Sequence, residues 1–282
     1  ILAFASSIVI ARVLGPSSYG AYTLIILAPT ILTQLGDLGI ALANTYFVAN
    51  RKYKIDEIAS NSLFSALSLG SILILIFWIF LALKSNTVDS PYVWMVVFII
   101  PFLLLYGYYR GILLGEEKIV QYNLVDIFRA CLRLICVVFL LVILKTRLFG
   151  ALLSYVISII GVACLSTMYV KRLSKIKLSA RLKPLKECIK YGVKAHLGNI
   201  AQLLNLRLDM FLVAYLLNTT AVGYYSIAVN VAETFWLIPA AVGVVLFPRV
   251  SSINKEKADE LTPKVCRHTL LHLIILSLIL II

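Results

Sequence analysis

The sequence predicts an all-α membrane protein that crosses a bilayer many times, and three observations carry that prediction. Hydrophobic residues make up 61% of the chain and charged residues only 14%, with a mean hydropathy of +0.98. A water-soluble domain of 282 residues cannot bury so large an apolar share. The apolar residues fall in long runs, and about 20 such residues suffice for a helix to cross the hydrocarbon. The basic residues, which give a formal net charge of +13, gather in short segments between those runs. There they set topology rather than mark a nucleic-acid partner.

In order, the runs predict the end of a first span near residue 13, then spans over 20–48, 63–83, 93–114, 124–144 and 149–170. After a polar linker come 192–217, 221–247 and the beginning of a ninth span near 265. The second and eighth exceed the bilayer thickness and must tilt or protrude. The chain opens on Ile1 and closes on Ile282, each inside an apolar run, so it reads as a piece of a longer transporter-sized protein. The predicted organisation is an N-terminal lobe over 1–170, a basic linker over 171–190, and the start of a C-terminal lobe over 191–282.

The linker KRLSKIKLSARLKPLKECIK carries Lys171, Arg172, Lys175, Lys177, Arg181, Lys183, Lys186 and Lys190 against the single acid Glu187. Such a block does not enter hydrocarbon and is retained on the cytoplasmic side. It reads as a solvated loop that fixes topology, or as one that joins two moving bundles and lies against anionic headgroups. The same side holds Arg51, Lys52, Lys54, Arg110, Lys118, Arg249, Lys255, Lys257 and Lys264. The opposite side has only Arg12, Lys84, Lys145 and Arg147. The first span therefore runs outward, and the external loops are short.

Short external loops leave little room for catalytic machinery acting on exported sugars. The chain also lacks GxxxxGK[ST], GxSxG and HExxH motifs, so no enzyme, ATP-driven pump or catalytic residue is expected. Cys131, Cys136, Cys164, Cys188 and Cys266 show no CxxC spacing and read as small apolar side chains. Cys266, His268 and His272 lack a fourth ligand, and no metal site is expected.

Sliding the chain on itself by 203 residues aligns ARVLGPSSYGAYTLI, from Ala11, with AYLLNTTAVGYYSIA, from Ala214. Ala11, Leu14, Gly20 and Tyr22 meet Ala214, Leu217, Gly223 and Tyr225. Six spans separate the copies, so both keep one orientation, as in transporters built from parallel repeats. At these residues, and through LRLDMFLVAYLL from Leu206 and IPAAVGVVLFPRVS from Ile238, the chain resembles the multidrug/oligosaccharidyl-lipid/polysaccharide (MOP) exporter superfamily. The closest likeness is to its polysaccharide biosynthesis flippases of the Wzx type. The resemblance implies two pseudo-symmetric helical lobes, MATE- or MurJ-like, and alternating access of a lipid-linked oligosaccharide across the bacterial inner (plasma) membrane. It implies no cofactor beyond a coupling ion, H+ or Na+.

Charges inside the spans are costly and mark function by default, at about 2.5–3.5 kcal/mol each on insertion scales. Asp126, Arg129 and Arg133 share one face of the fifth span. They form either an Asp126–Arg129 pair with Arg133 at the rim, or a basic stripe whose guanidinium forks hold diphosphate oxygens. Lys194 and Arg207 on the seventh span extend the substrate-binding set. Asp37, isolated between Gly36 and Gly39, caps a helix break or binds a coupling ion. Asp209 and Glu233 are candidates for the same ion role, and Glu233 is an alternative ion-pair partner for Arg207. Pro29, Pro101 and Pro239 bend their spans. Tyr106, Tyr108 and Tyr109 read as an interfacial belt or as sugar-stacking rings.

The expected partners are a lipid-linked oligosaccharide, membrane lipids, and a polysaccharide polymerase with glycosyltransferases, the protein itself being a monomer. No nucleic acid is expected. Two rivals remain: a cation-coupled multidrug exporter of the same superfamily, and a membrane glycosyltransferase or polymerase.

Overall fold

A computed structural model of the chain describes residues 2–83, 91–178, 181–236, 238–239, 242–243, 246, 250 and 255–281. Lys84, Arg249, Pro239's neighbours and most of the run from Ile238 to Ser251 lie outside the described residues. Among the described residues the chain is helical, with no strands. The helices are α1 (Leu2–Gly36), α2 (Ile40–Ala49), α3 (Ile55–Leu83), α4 (Pro91–Val97), α5 (Ile100–Gly115), α6 (Ile119–Val137), α7 (Arg147–Leu173), α8 (Leu182–Leu216), α9 (Thr219–Phe235) and α10 (Lys255–Ile281). A π-helical stretch, Val138–Ile143, prolongs α6. Among the described residues these follow the expected passes, the eighth as a continuous helix only to Phe235, and the second and fourth are broken in mid-course. The segments Leu2–Gly36, Ile55–Ala82, Tyr92–Gly115 and Arg147–Leu173 are long and apolar enough to cross a membrane. Residues Ile1–Tyr225 form one compact unit and Ser226–Ile282 a second.

The turn expected over 14–19 shrinks to one residue. Gly15 has φ 73° and ψ 170°, a conformation closed to side chains with a Cβ, and Pro16 restarts the helix at once with its pre-set φ. The aligned position in the repeat, Asn218, is also where the helix stops, between α8 and α9. The second pass breaks again at 37–39, where Gly39 is left-handed at φ 70°. The fourth pass breaks before Pro101, which lacks the N–H that would continue α4 into α5.

Packing within the first unit follows membrane rules. Residues Gly107, Gly111 and Gly115 recur every four positions on α5. A Cβ on Gly111 would lie 2.3 Å from the Ala41 carbonyl oxygen, and one on Gly115 2.7 Å from that of Thr45. Small residues thus let α2 and α5 touch backbone to backbone, and Thr45 Oγ1 donates to the Gly111 carbonyl at 3.0 Å. Asn44, fully buried, donates to Ser62 Oγ at 2.8 Å and to the Tyr108 carbonyl at 3.2 Å, so its polar cost is met. On α3, Ile72, Leu75, Ile76, Ile79 and Phe80 are all at least 45% exposed. Their i, i+3, i+4, i+7, i+8 spacing makes one outward apolar stripe of the kind that lies against lipid or another apolar helix.

Two expectations are corrected here. The basic segment is not a free loop over 171–190, because α7 runs to Leu173 and α8 begins at Leu182, and between them the described residues 174–178 and 181 are non-helical. Pro184 sits in the first turn of α8, where a missing N–H costs nothing. The non-helical piece is strapped to α3: Lys177 N–H donates to Ser60 Oγ at 3.0 Å, and Asn61 exchanges two hydrogen bonds with the Arg181 backbone at 2.7 and 3.1 Å. The Arg181 guanidinium pairs with Glu57, Lys52 Nζ lies 2.7 Å from Glu187, and Tyr191 stacks on Tyr46 at 4.4 Å. Hydrogen bonds from Lys52 and then Tyr53 hold the Glu187 carboxyl below its ordinary range. That contact is therefore complete at neutral pH and fades as pH falls through the depressed value. Burial pushes the Cys188 thiol up to about 12, consistent with its place in the core beside Phe47 and Ile58.

The second correction concerns aromatics. Tyr108 and Tyr109 are fully buried, with hydroxyls donating to the carbonyls of Asp37 at 3.3 Å and Ala59 at 3.5 Å. They form core, not an interfacial belt, because α5 is covered by α2, α3 and α7.

Candidate functional site

The repeat seen in the sequence is a contact in space. A Cβ on Gly20 would fall 1.8 Å from the Thr219 carbonyl oxygen, and one on Gly223 would fall 2.0 Å from the Pro16 carbonyl oxygen. Under the 203-residue shift Gly20 maps to Gly223 and Pro16 to Thr219, so the contact is reciprocal, as across a two-fold axis. The aligned tyrosines also work in parallel. Arg133 Nη2 donates to the Tyr22 hydroxyl at 2.6 Å, and the Tyr225 hydroxyl donates to Asp209 Oδ2 at 2.6 Å. One tyrosine serves a cation and its counterpart an anion, so the scaffold repeats while the charge chemistry does not.

Along α6 the structure builds a ladder of guanidinium groups and rings. Arg110, from α5, stacks at 4.1 Å on Tyr122 and pairs with Asp126 at 2.7 Å. Tyr106 donates to the other Asp126 oxygen. Arg129 lies over the Tyr106 ring at 5.4 Å. One turn further, Arg133 lies over Tyr155 at 5.6 Å besides holding Tyr22. Because α6 starts at Ile119, five residues earlier than expected, Arg133 sits about 21 Å into its segment at 1.5 Å per residue.

The anticipated Asp126–Arg129 pair is replaced. Asp126 turns to Arg110 and Tyr106, which leaves the Arg129 charge facing a ring rather than a carboxylate. The Nε atoms of Arg110 and Arg133 are buried without a hydrogen-bond partner. A buried guanidinium N–H that is not donated is costly and ready for an acceptor. Side chains of Arg110 and Asp126 keep about a third of their surface exposed, so the ladder is reachable from its linker end.

Arg207, Lys194 and Asp209 are carried by α8, which packs on α2, α3 and α1, whereas α6 packs on α7, α1 and α5. Arg207 and Asp209 are half-buried and Lys194 is exposed. The structure thus joins Arg129 and Arg133 in one ladder and leaves the α8 residues apart from it. Glu233 lies on the part of α9 that belongs to the second unit. Asp37 occupies the break between α1 and α2, its carbonyl accepting from Ile40 N–H at 3.1 Å. Arg110 was read from sequence only as a loop charge. Its place four residues after Tyr106, on the same helix face, is the signal that places it in the ladder.

Solved structures define the class. An inward-facing multidrug resistance MATE family transporter of the MOP superfamily matches with a TM-score of 0.63 at 16% identity, over 98% of this chain and 66% of that one. A MOP superfamily transporter from Pyrococcus furiosus matches with a TM-score of 0.57 at 16% identity, over 88% of this chain and 68% of that one. The fold is thus that of a MATE-type helical transporter. Residues 1–254 match the family described as "Polysaccharide biosynthesis protein", and the chain belongs to that family. It is 28% identical over 266 residues to the "Putative O-antigen transporter" of Shigella flexneri, covering 88% of this chain and 62% of that protein. The chain therefore spans about three-fifths of that relative's length.

Proposed function

We propose that this chain is part of a non-enzymatic exporter that carries a polyprenyl-diphosphate-linked oligosaccharide across the bacterial inner membrane by alternating access. The observation that carries the reading is the ladder of Arg110, Arg129 and Arg133, with buried N–H groups left open on Arg110 and Arg133. Anionic diphosphate oxygens are the natural acceptors for such forks, and the tyrosine faces between them suit sugar rings. The lobes are residues 1–170 and the start of a second from 191, joined by the strapped linker. Arg207 and Lys194 would serve the substrate from the second lobe, and an ion at Asp37, Asp209 or Glu233 would bias the two states. The family membership and the O-antigen relative support this substrate class over a drug.

Deleting the gene separates the readings. The expected result is loss of surface polysaccharide with unchanged drug susceptibility. Drug hypersensitivity with normal polysaccharide would favour the multidrug reading, which the cationic ladder disfavours, because a cationic drug needs an acidic site. Sugar transfer by the purified protein would favour the glycosyltransferase.

A further inference from the structure

His196 is 4% exposed, and neither of its ring nitrogens has a hydrogen-bond partner. Its Nδ1 lies 4.0 Å from Asp37 Oδ2. A histidine this deep normally finds a partner for at least one nitrogen. The carboxylate that faces it belongs to the break between α1 and α2. One turn before His196 on α8, Gly192 meets Gly39: a Cβ on Gly39 would lie 2.2 Å from the Gly192 carbonyl oxygen. The two backbones touch, so His196 and Asp37 are held at a seam between the first lobe and the first helix of the second.

We infer that Asp37 and His196 together form a proton-binding site at this seam. With the proton on, imidazolium and carboxylate attract and hold α8 against the α1–α2 break. With it off, a neutral ring faces a carboxylate and the seam is weakened. The proposal deepens the ion-coupled exporter reading and rests on it only for the consequence in transport. It also replaces three candidate acids with one and adds a histidine that no sequence motif marks.

The surroundings leave few competing charges. From α5 the Tyr108 hydroxyl reaches the Asp37 carbonyl. From α2 the nearest titratable group in sequence is Tyr46, stacked on Tyr191. The acids of α3 are Asp56 and Glu57 in its first turn, and Glu57 is taken by Arg181. On α1 the titratable groups are Arg12, Tyr19 and Tyr22, a helix length away, with Tyr22 held by Arg133. On α8 itself Lys194 is exposed. Asp37 is therefore the anion with which His196 shares its proton.

The test uses the full-length protein in lipid nanodiscs, labelled with 15N-histidine and titrated with acid by NMR. The His196 signal is the one lost in His196→Gln. The expected result is that His196 binds its proton at least tenfold more tightly than in Asp37→Asn, a shift of one pH unit or more. Equal affinity in the two proteins would overturn the proposal. If Asp37→Asn is not recovered folded, Asp37→Ser, which also removes the carboxylate, replaces it, and an unchanged His196 titration in that variant overturns the proposal equally. Because the titration reads proton binding directly, a protein that titrates as expected yet moves no lipid-linked sugar would refute the exporter reading alone.

Discussion

Arg133→Ala is expected to abolish surface polysaccharide while the protein remains in the membrane at normal abundance. Arg133 is the deepest member of the α6 ladder and holds two contacts within its own lobe, the 2.6 Å bond to Tyr22 and the stack on Tyr155. Truncation leaves the Tyr22 hydroxyl without its donor, a cost of about 1–3 kcal/mol, which a helix bundle of this size absorbs. Losing a desolvated charge contact to a diphosphate costs roughly 2–5 kcal/mol, equivalent to about thirty-fold or more in transport at each 1.4 kcal/mol per tenfold. Arg133→Lys is expected to restore only a small part, since an ammonium cannot present the planar fork. Tyr22→Phe keeps the ring and the charge and is expected to be milder than either. Quantifying surface polysaccharide and membrane-bound protein in the same cells checks all three, and normal polysaccharide in Arg133→Ala would remove the phosphate role.

Gly223→Val is expected to stop transport by a different route. A Cβ at Gly223 would meet the Pro16 carbonyl at 2.0 Å, with the Pro16 carbonyl carbon at 2.8 Å. Both are backbone atoms beside the Gly15 kink, which cannot yield as a flexible side chain would. Overpacking of this kind typically costs about 1–3 kcal/mol even in cores that can adjust. Here it falls on the reciprocal contact that relates the two repeats, so the cost is felt only in states where Gly20 and Gly223 meet. The variant is expected to fold, reside in the membrane and lose export, and Gly20→Val is expected to match it because the contact is reciprocal. Gly107→Ala, with nothing within 4 Å of the added atom, is the control expected to transport normally. A Gly223→Val protein with full export would show that the two helices part without consequence.

Much of the scaffold was legible in the sequence because lipid imposes simple rules. Long apolar runs gave the passes and loop charges marked one end, and the 203-residue echo aligned Gly20 with Gly223, whereas their contact in space and the breaks at Gly15 and Asn218 came only from the structure. What was not legible depends on pairing in three dimensions. Asp126 and Arg129 satisfy helix spacing for a pair, yet Arg110 from α5 reaches the carboxylate first, and no one-dimensional periodicity reports a neighbour from another helix. The linker looked like a solvated loop because its charges dominate its composition. Its anchoring rests instead on Ser60 and Asn61, two ordinary polar residues of α3 that bond to backbone. His196 stood out little in the sequence, since its burial and empty ring nitrogens follow from the Gly39–Gly192 approach.

The central claim is that the guanidinium ladder on α6 receives the anionic headgroup of a lipid-linked sugar. The most direct measurement is photo-crosslinking of the full-length protein in nanodiscs with a polyprenyl-diphosphate oligosaccharide carrying a photoreactive group next to the diphosphate, followed by mass mapping of the adducts. The account predicts adducts on α5, α6 and α1 around Tyr106, Arg129 and Tyr22, competed away by unlabelled substrate and lost in Arg133→Ala. Adducts confined to the exposed α3 stripe of Ile72, Ile76 and Phe80, or unchanged by Arg133→Ala, would contradict it.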